Sequence, residues 1–145
     1  MTPVEQTLFG GPEAEVPGNC LTACVASVLE LPLGDVPHFV VYGDWWARFV
    51  GFMREHRLGV WDCPLIGGIE PRFLQGDRPG RIVDPPGYWI AAVLSPRLVT
   101  SKGHPALHSV VMHGAKVVWD PHPQSDMGHL GFVEAALLVP CGVAA

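Results

Sequence analysis

Three residue types that together make a thiol nucleophile occur at widely separated points of this chain: Cys20, His108 and Asp120. Cys20 lies in Pro17-Gly18-Asn19-Cys20-Leu21-Thr22-Ala23-Cys24, which reads as a loop turning into the first turn of a helix. Pro17 and Gly18 break the preceding chain, and Asn19 is a favourable N-cap, its side-chain oxygen placed to accept from N–H groups of the next turn. Cys20 then stands at about the first helical position, beside unpaired N–H donors and the positive end of the helix dipole. A thiol there gives up its proton more readily, and the thiolate is the reactive form. His108, in Leu107-His108-Ser109-Val110-Val111-Met112, and Asp120, in Val117-Val118-Trp119-Asp120-Pro121, both fall in strand-like runs. Thiol catalysis needs an imidazole to pair with the thiolate, a carboxylate or amide to orient the ring, and a donor for the oxyanion. Taken alone, Cys20 is more simply explained as a small core residue. Its place at a helix start, ahead of a histidine and an aspartate on strands, favours chemistry.

The elements that must position these groups follow from periodicity. Residues 20–31 form a first helix, with Cys24, Val28 and Leu31 on the face of Cys20 and Pro32 as its end. A second helix is expected at about 44–57, with Asp44 as cap, a stripe of Trp45, Phe49, Phe52 and Met53, and Gly59 as its stop. Val60–Cys63 is a short strand candidate. The stretch from Gly67 to Gly87, rich in Gly, Pro and Arg, reads as a surface excursion with one short helix near 70–75. Tyr88–Leu94, Leu107–Met112, Lys116–Asp120 and Glu134–Val139 are β-branched runs bounded by turn residues. Helices first and antiparallel strands after is an α+β layout, a single domain over 1–145 in which helices pack on one face of the sheet.

If His108 and Asp120 cooperate, their side chains must leave the same face, which constrains the hairpin between them. A two-residue turn at Gly114-Ala115 would pair Ser109 with Asp120 and put His108 on the wrong side. A three-residue loop, His113-Gly114-Ala115, pairs His108 with Asp120, Val110 with Val118 and Met112 with Lys116, with Gly114 supplying the left-handed residue. The three-residue loop is therefore the expectation.

Composition narrows the function classes. A net charge of −5 argues against binding a phosphate backbone, so no nucleic-acid partner is expected. No run approaches the roughly 18 apolar residues of a membrane span. No signal peptide is visible at the start, so the four cysteines are expected as reduced thiols and the location as cytoplasmic. The 17 glycines and 15 prolines punctuate apolar runs, as turns do, rather than forming a low-complexity tract.

These segments together resemble the papain-like cysteine peptidases in their small bacterial and phage forms, akin to double-glycine leader peptidases and cell-wall amidases. The likeness rests on Gln6-Thr7, on Gly18–Ser27, on His108–Val111 and on Val117–Pro123; the connector Leu31–Phe39 is also similar to that of phage and bacterial proteins of this kind. Residues 40–87 match no such pattern. The resemblance implies a helix bearing the cysteine packed on a mainly antiparallel sheet bearing the His and Asp. It implies Cys20 as nucleophile, His108 as general base and acid, and Asp120 as ring orienter. It further implies a glutamine ahead of the nucleophile as oxyanion donor. In better-known members that glutamine lies about six residues upstream, where this chain has Ala14; Gln6 serves only if Gly10–Val16 loops out, and Asn19 is the runner-up. The expected activity is cleavage of an amide or isopeptide bond in a peptide, protein or peptidoglycan-derived substrate, without metal or cofactor. Two alternatives stay open: a thiol acyltransferase of the same fold, and a non-catalytic peptide- or protein-binding module such as a phage-encoded host-interaction protein.

Other residues read more plainly. Cys24 is core, His104 a loop residue, His122 a turn residue near the site, and Asp35, Asp44 and Asp62 caps or surface charges. Trp45, Trp46, Trp61 and Trp89 fill core or line a groove, and substrate contacts are expected from 40–87. A zinc set built from Cys20 and Cys24 with His108, His122 or His129 is conceivable, but the spacing is not that of a zinc knuckle.

Overall fold

The computed structural model describes residues 1–65, 68, 70–75, 78–82 and 85–141. Two α-helices, α1 (Cys20–Leu29) and α2 (Trp45–Glu55), precede the strands β1 (Leu58–Pro64), β2 (Arg72–Gln75), β3 (Arg78–Ile82), β4 (Tyr88–Val99), β5 (Pro105–His113), β6 (Lys116–Trp119) and β7 (Phe132–Pro140). Five strands form one antiparallel sheet in the order β1-β7-β4-β5-β6, and β2 pairs only with β3. The fold is α+β, with the two helices packed on the sheet. Among the described residues no helix is long and apolar enough to cross a membrane.

α1 is the buried helix. Ala23, Cys24, Val25 and Ala26 are fully buried, because small side chains let the helix sit close against β5. It stops earlier than expected. Glu30 takes the left-handed conformation at φ 57°, and the Leu31 N–H reaches back to the Ala26 carbonyl at 2.9 Å, closing the end two residues before Pro32. α2 is also shorter than its periodicity suggests, ending at Glu55, and Gly59 lies in β1 instead of capping it. Asp44 makes no capping hydrogen bond; its carboxylate pairs with Arg48 at 2.7 Å. Phe49 and Met53 carry the buried stripe of α2 into a cluster with Phe39, Ile90 and Val111. On the opposite sheet face Trp89, Ala91, Val93, Val110, Met112 and Phe132 form a second cluster. Both faces of the central strands are thus apolar, and the site lies where they end.

The helix expected near 70–75 is not formed: the described residues there belong to β2. Gly, Pro and Arg obscure the pattern in a hairpin that pairs with only one neighbour.

The β5–β6 hairpin corrects the expected register. His113 pairs with Lys116 across the two-residue turn Gly114-Ala115, and Met112 pairs with Val117. Gly114 has φ 56°, the positive value that a type II′ turn needs at its first central position. The next pair, however, is Val111 with Trp119, so Val118 is an extra residue on β6. A β-bulge of this kind reverses the side-chain alternation beyond it. Val117 joins the Met112 face, Trp119 joins the Val111 face, and Asp120 returns to the face of Val110 and His108. The bulge does what the three-residue loop was expected to do.

Candidate active site

Four parts of the chain converge at one end of the sheet. The first is the start of α1, which delivers Cys20. Asn19 precedes it but does not cap the helix with its side chain. Its Oδ1 accepts the Thr7 and Leu8 N–H groups at 3.0 and 2.9 Å, and its Nδ2 donates to Thr7 Oγ1 at 3.1 Å. The expected cap is instead a clasp on the N-terminal segment. The first-turn N–H groups, that of Cys20 included, have no intrahelical partner.

The second part is that N-terminal segment. It threads between α1 and the end of β6. Val4 N–H donates to Ser27 Oγ at 2.9 Å, the Val4 carbonyl accepts from Trp119 Nε1 at 3.0 Å, and Gln6 N–H donates to the Pro121 carbonyl at 2.9 Å. These bonds set Gln6, 5% exposed, on the wall of the cleft that contains Cys20 and His108. Its Nε2 spends one hydrogen on the Leu8 carbonyl at 2.9 Å and keeps a second. As required, Gly10–Val16 loops away from the path to Cys20. A Cβ on Gly10 would lie 2.7 Å from the Gly18 nitrogen, so the loop is pinched shut at its base by two glycines.

The third part is β5. His108 is buried and lines the same cleft as Cys20. The next residue, Ser109, donates its backbone N–H to Cys20 Sγ at 3.4 Å. The fourth part is the turn after β6. Asp120, 1% exposed, accepts His108 Nε2–H on Oδ1 at 2.6 Å, which leaves Nδ1 for the sulphur. His122 N–H reaches the same oxygen at 2.9 Å. Arg97 Nη2 and the Ser125 hydroxyl hold Oδ2 at 3.0 and 2.6 Å.

The charges follow from these contacts. Burial pushes the Cys20 thiol up, but the His108 hydrogen bond and charge, aided by the Ser109 N–H, bring it below its ordinary 9.0. His108 feels a burial penalty as a cation, which Asp120 and Cys20 outweigh, so its value rises to about 9. Burial opposes ionisation of Asp120 too, yet the bonds from His108, Ser125 and His122 hold it well below the usual carboxylate range. Cys24, one turn further along α1, is pushed well above its ordinary value by burial and stays a thiol. The arrangement supports a thiolate–imidazolium pair with an ionised aspartate behind it.

The cleft has a volume of about 580 Å³. Its walls are the segment from Phe9 to Gly18 and the stretch from Ser95 to Ser101, with Leu107 and His122 at the rim. The described lining takes nothing from residues 40–87; β1 is the sheet edge opposite to β6, and α2 packs against it. Trp89 is core, Trp61 is 66% exposed, and Trp45 and Trp46 line a separate small hollow. His122 stacks edge-on against Phe9 with ring centroids 5.3 Å apart, and His104 does not line the cleft. Among the described residues no three His, Cys, Asp or Glu side chains gather as metal ligands, so Cys20, Cys24, His108, His122 and His129 do not form a zinc set.

Arg97 and Ser125 escape the sequence reading. Pro96 was the available signal for Arg97: a proline inside a strand marks a bulge, and bulges redirect side chains. Ser125 carries no signal. Compared with known proteins, the chain matches no family model, no curated protein and no solved structure.

Proposed function

We propose that the protein is a papain-like cysteine hydrolase that cleaves an amide or isopeptide bond through a thioester acyl-enzyme. The observation that carries this reading is the convergence of the three groups: His108 bonded to Asp120 at 2.6 Å, in the cleft it shares with Cys20, whose sulphur accepts the N–H of the neighbouring Ser109. The α+β order, with a thiol at a helix start and the histidine and aspartate on or beside antiparallel strands, supports the same family resemblance.

In this mechanism the Cys20 thiolate attacks the substrate carbonyl carbon, and the carbonyl electron pair moves to oxygen. The oxyanion lies between the Cys20 N–H and the free Gln6 Nε2 hydrogen. Imidazolium 108 gives its Nδ1 proton to the leaving amine as the C–N bond breaks, leaving a thioester on Cys20 and a neutral ring. The ring then takes a proton from water, whose oxygen attacks the thioester; collapse frees the carboxylic acid and restores thiolate and imidazolium. Asp120 fixes the ring tautomer throughout and is not itself protonated.

The test uses iodoacetamide at mildly acidic pH on one sample and p-nitrophenyl acetate, as a generic acyl donor, on a second, unalkylated sample, with each adduct mapped by mass spectrometry. Cys20 is expected to alkylate well ahead of Cys24, Cys63 and Cys141 and to carry one acetyl group after acyl transfer. Uniform slow alkylation with no acetyl-Cys20 would return the protein to the class of non-catalytic binding modules.

A further inference from the structure

Arg97 stands behind the Cys20–His108–Asp120 line rather than in it. It occurs where the pairing of β4 with β5 breaks, between Leu94 and Val99. Pro96 has no N–H to give the ladder. Ser95, 5% exposed, turns its hydroxyl oxygen back to accept the Arg97 and Leu98 N–H groups, each at 3.1 Å. The backbone of Arg97 is thereby locked in a kink, and its side chain crosses to Asp120 Oδ2 at 3.0 Å while lining the same cleft as Cys20. The carboxylate it meets is 1% exposed and the guanidinium 23%, so solvent screens this pair far less than an exposed one.

We propose that Arg97 is a positioning residue: it holds the Asp120 carboxylate aimed at His108, and its permanent positive charge limits how tightly the imidazolium keeps its proton. The inference rests on the reading of Cys20 and His108 as a catalytic pair. The physical need is clear. A buried carboxylate at 2.6 Å from the ring favours imidazolium strongly, which protects the thiolate but makes the ring a reluctant acid toward the leaving amine. A cation on the far oxygen of the same carboxylate weakens that hold without breaking the hydrogen bond that orients the ring. The other ionisable groups around the pair are Cys20 from α1, His122 from the turn after Asp120, and Glu15 on the cleft wall, with Cys24 of α1 behind Asp120. Arg97 alone among them stays charged at every working pH.

The experiment is an NMR titration of the His108 ring in the wild-type protein and in R97Q, R97M and R97K. The two neutral variants should raise the midpoint by roughly half to one unit, a three- to tenfold gain in proton affinity. R97K should stay at the wild-type value. Two neutral side chains, one polar and one apolar, guard against a single variant failing to fold. An unmoved midpoint in the neutral variants overturns the proposal, as does R97K shifting as far as they do, which would leave hydrogen bonding and not charge as the cause. The readout is independent of turnover. If wild-type Cys20 fails to alkylate as a thiolate, the catalytic reading falls; if it alkylates and the midpoint does not move, only the role of Arg97 falls.

Discussion

Asn19 and Thr7 hold one another by two hydrogen bonds, Asn19 Oδ1 accepting the Thr7 N–H at 3.0 Å and Asn19 Nδ2 donating to Thr7 Oγ1 at 3.1 Å. The clasp ties the segment bearing Gln6 to the residue beside Cys20, so the placement of Gln6 depends on Asn19. Gln6→Ala should lower kcat by about 10²–10³-fold, the usual cost of an oxyanion donor. Asn19→Ala should cost up to about 10²-fold by displacing Gln6. The double variant should be little worse than Gln6→Ala alone, since both act through the same amide. Additive losses in steady-state kinetics would separate the two residues and sink the idea of a shared role.

Replacing Asp120 tests the ring orienter. Asp120→Asn keeps the shape but loses the charge, and kcat should fall by roughly two to four orders of magnitude. Asp120→Ala strips the partner from Arg97, Ser125 and His108 together and should destabilise the fold by about 3–5 kcal/mol in denaturant unfolding. A fully active Asp120→Asn variant would remove Asp120 from the mechanism.

The pH profile has a defined shape. Activity should appear as pH rises through the Cys20 value, which lies below its ordinary 9.0, and vanish as His108 deprotonates at about 9. In Asp120→Asn the imidazolium is less favoured, so the alkaline limb moves down and the bell narrows from that side. Asp120 also gives the acid side of stability its sign. Its native value is depressed, so its contribution is complete above the ordinary 3.8 and is lost as pH falls further. Acid unfolding of wild type and Asp120→Asn, compared by circular dichroism, should show a steeper decline in the wild type.

Deleting Val118 should erase the bulge and close the ladder, with Val111 still opposite Trp119 and Val110 opposite Asp120. The carboxylate then stays on the face of His108, and selective alkylation of Cys20 should persist. Inserting an alanine between Trp119 and Asp120 moves the carboxylate one place along and off that face, and the selectivity should disappear. Retained selectivity after the insertion would show that the register does not set the geometry.

The readability of this chain varied with the source of each constraint. α1 and α2 were legible because their apolar residues recur with helical period, and Cys20, His108 and Asp120 because their residue types are specific to a chemistry. Gln6 was legible only through a family likeness, since a glutamine fourteen residues before a cysteine has no local signature. The hairpin was misread at Val118 because Val117-Val118-Trp119 is a uniform run of strand formers, and nothing in it marks which residue the ladder skips. Asn19 was read as a cap because local side-chain rules favour it, and the structure spends the same oxygen on the N-terminal segment, more distant in sequence. Arg97 was overlooked because its partner lies 23 residues away and is reached only through the kink at Pro96.

The glycine pinch between Gly10 and Gly18 makes the segment it encloses an exchangeable cassette. Its two ends are fixed against each other by backbone alone, so lengthening residues 11–17 disturbs neither Gln6 on one side nor Cys20 on the other. Each doubling of that length costs only about 0.6 kcal/mol in closure entropy. If the proposed activity holds, the rim facing the substrate can be rewritten while Cys20, His108 and Gln6 stay put, and grafting there is the natural way to retarget the protein.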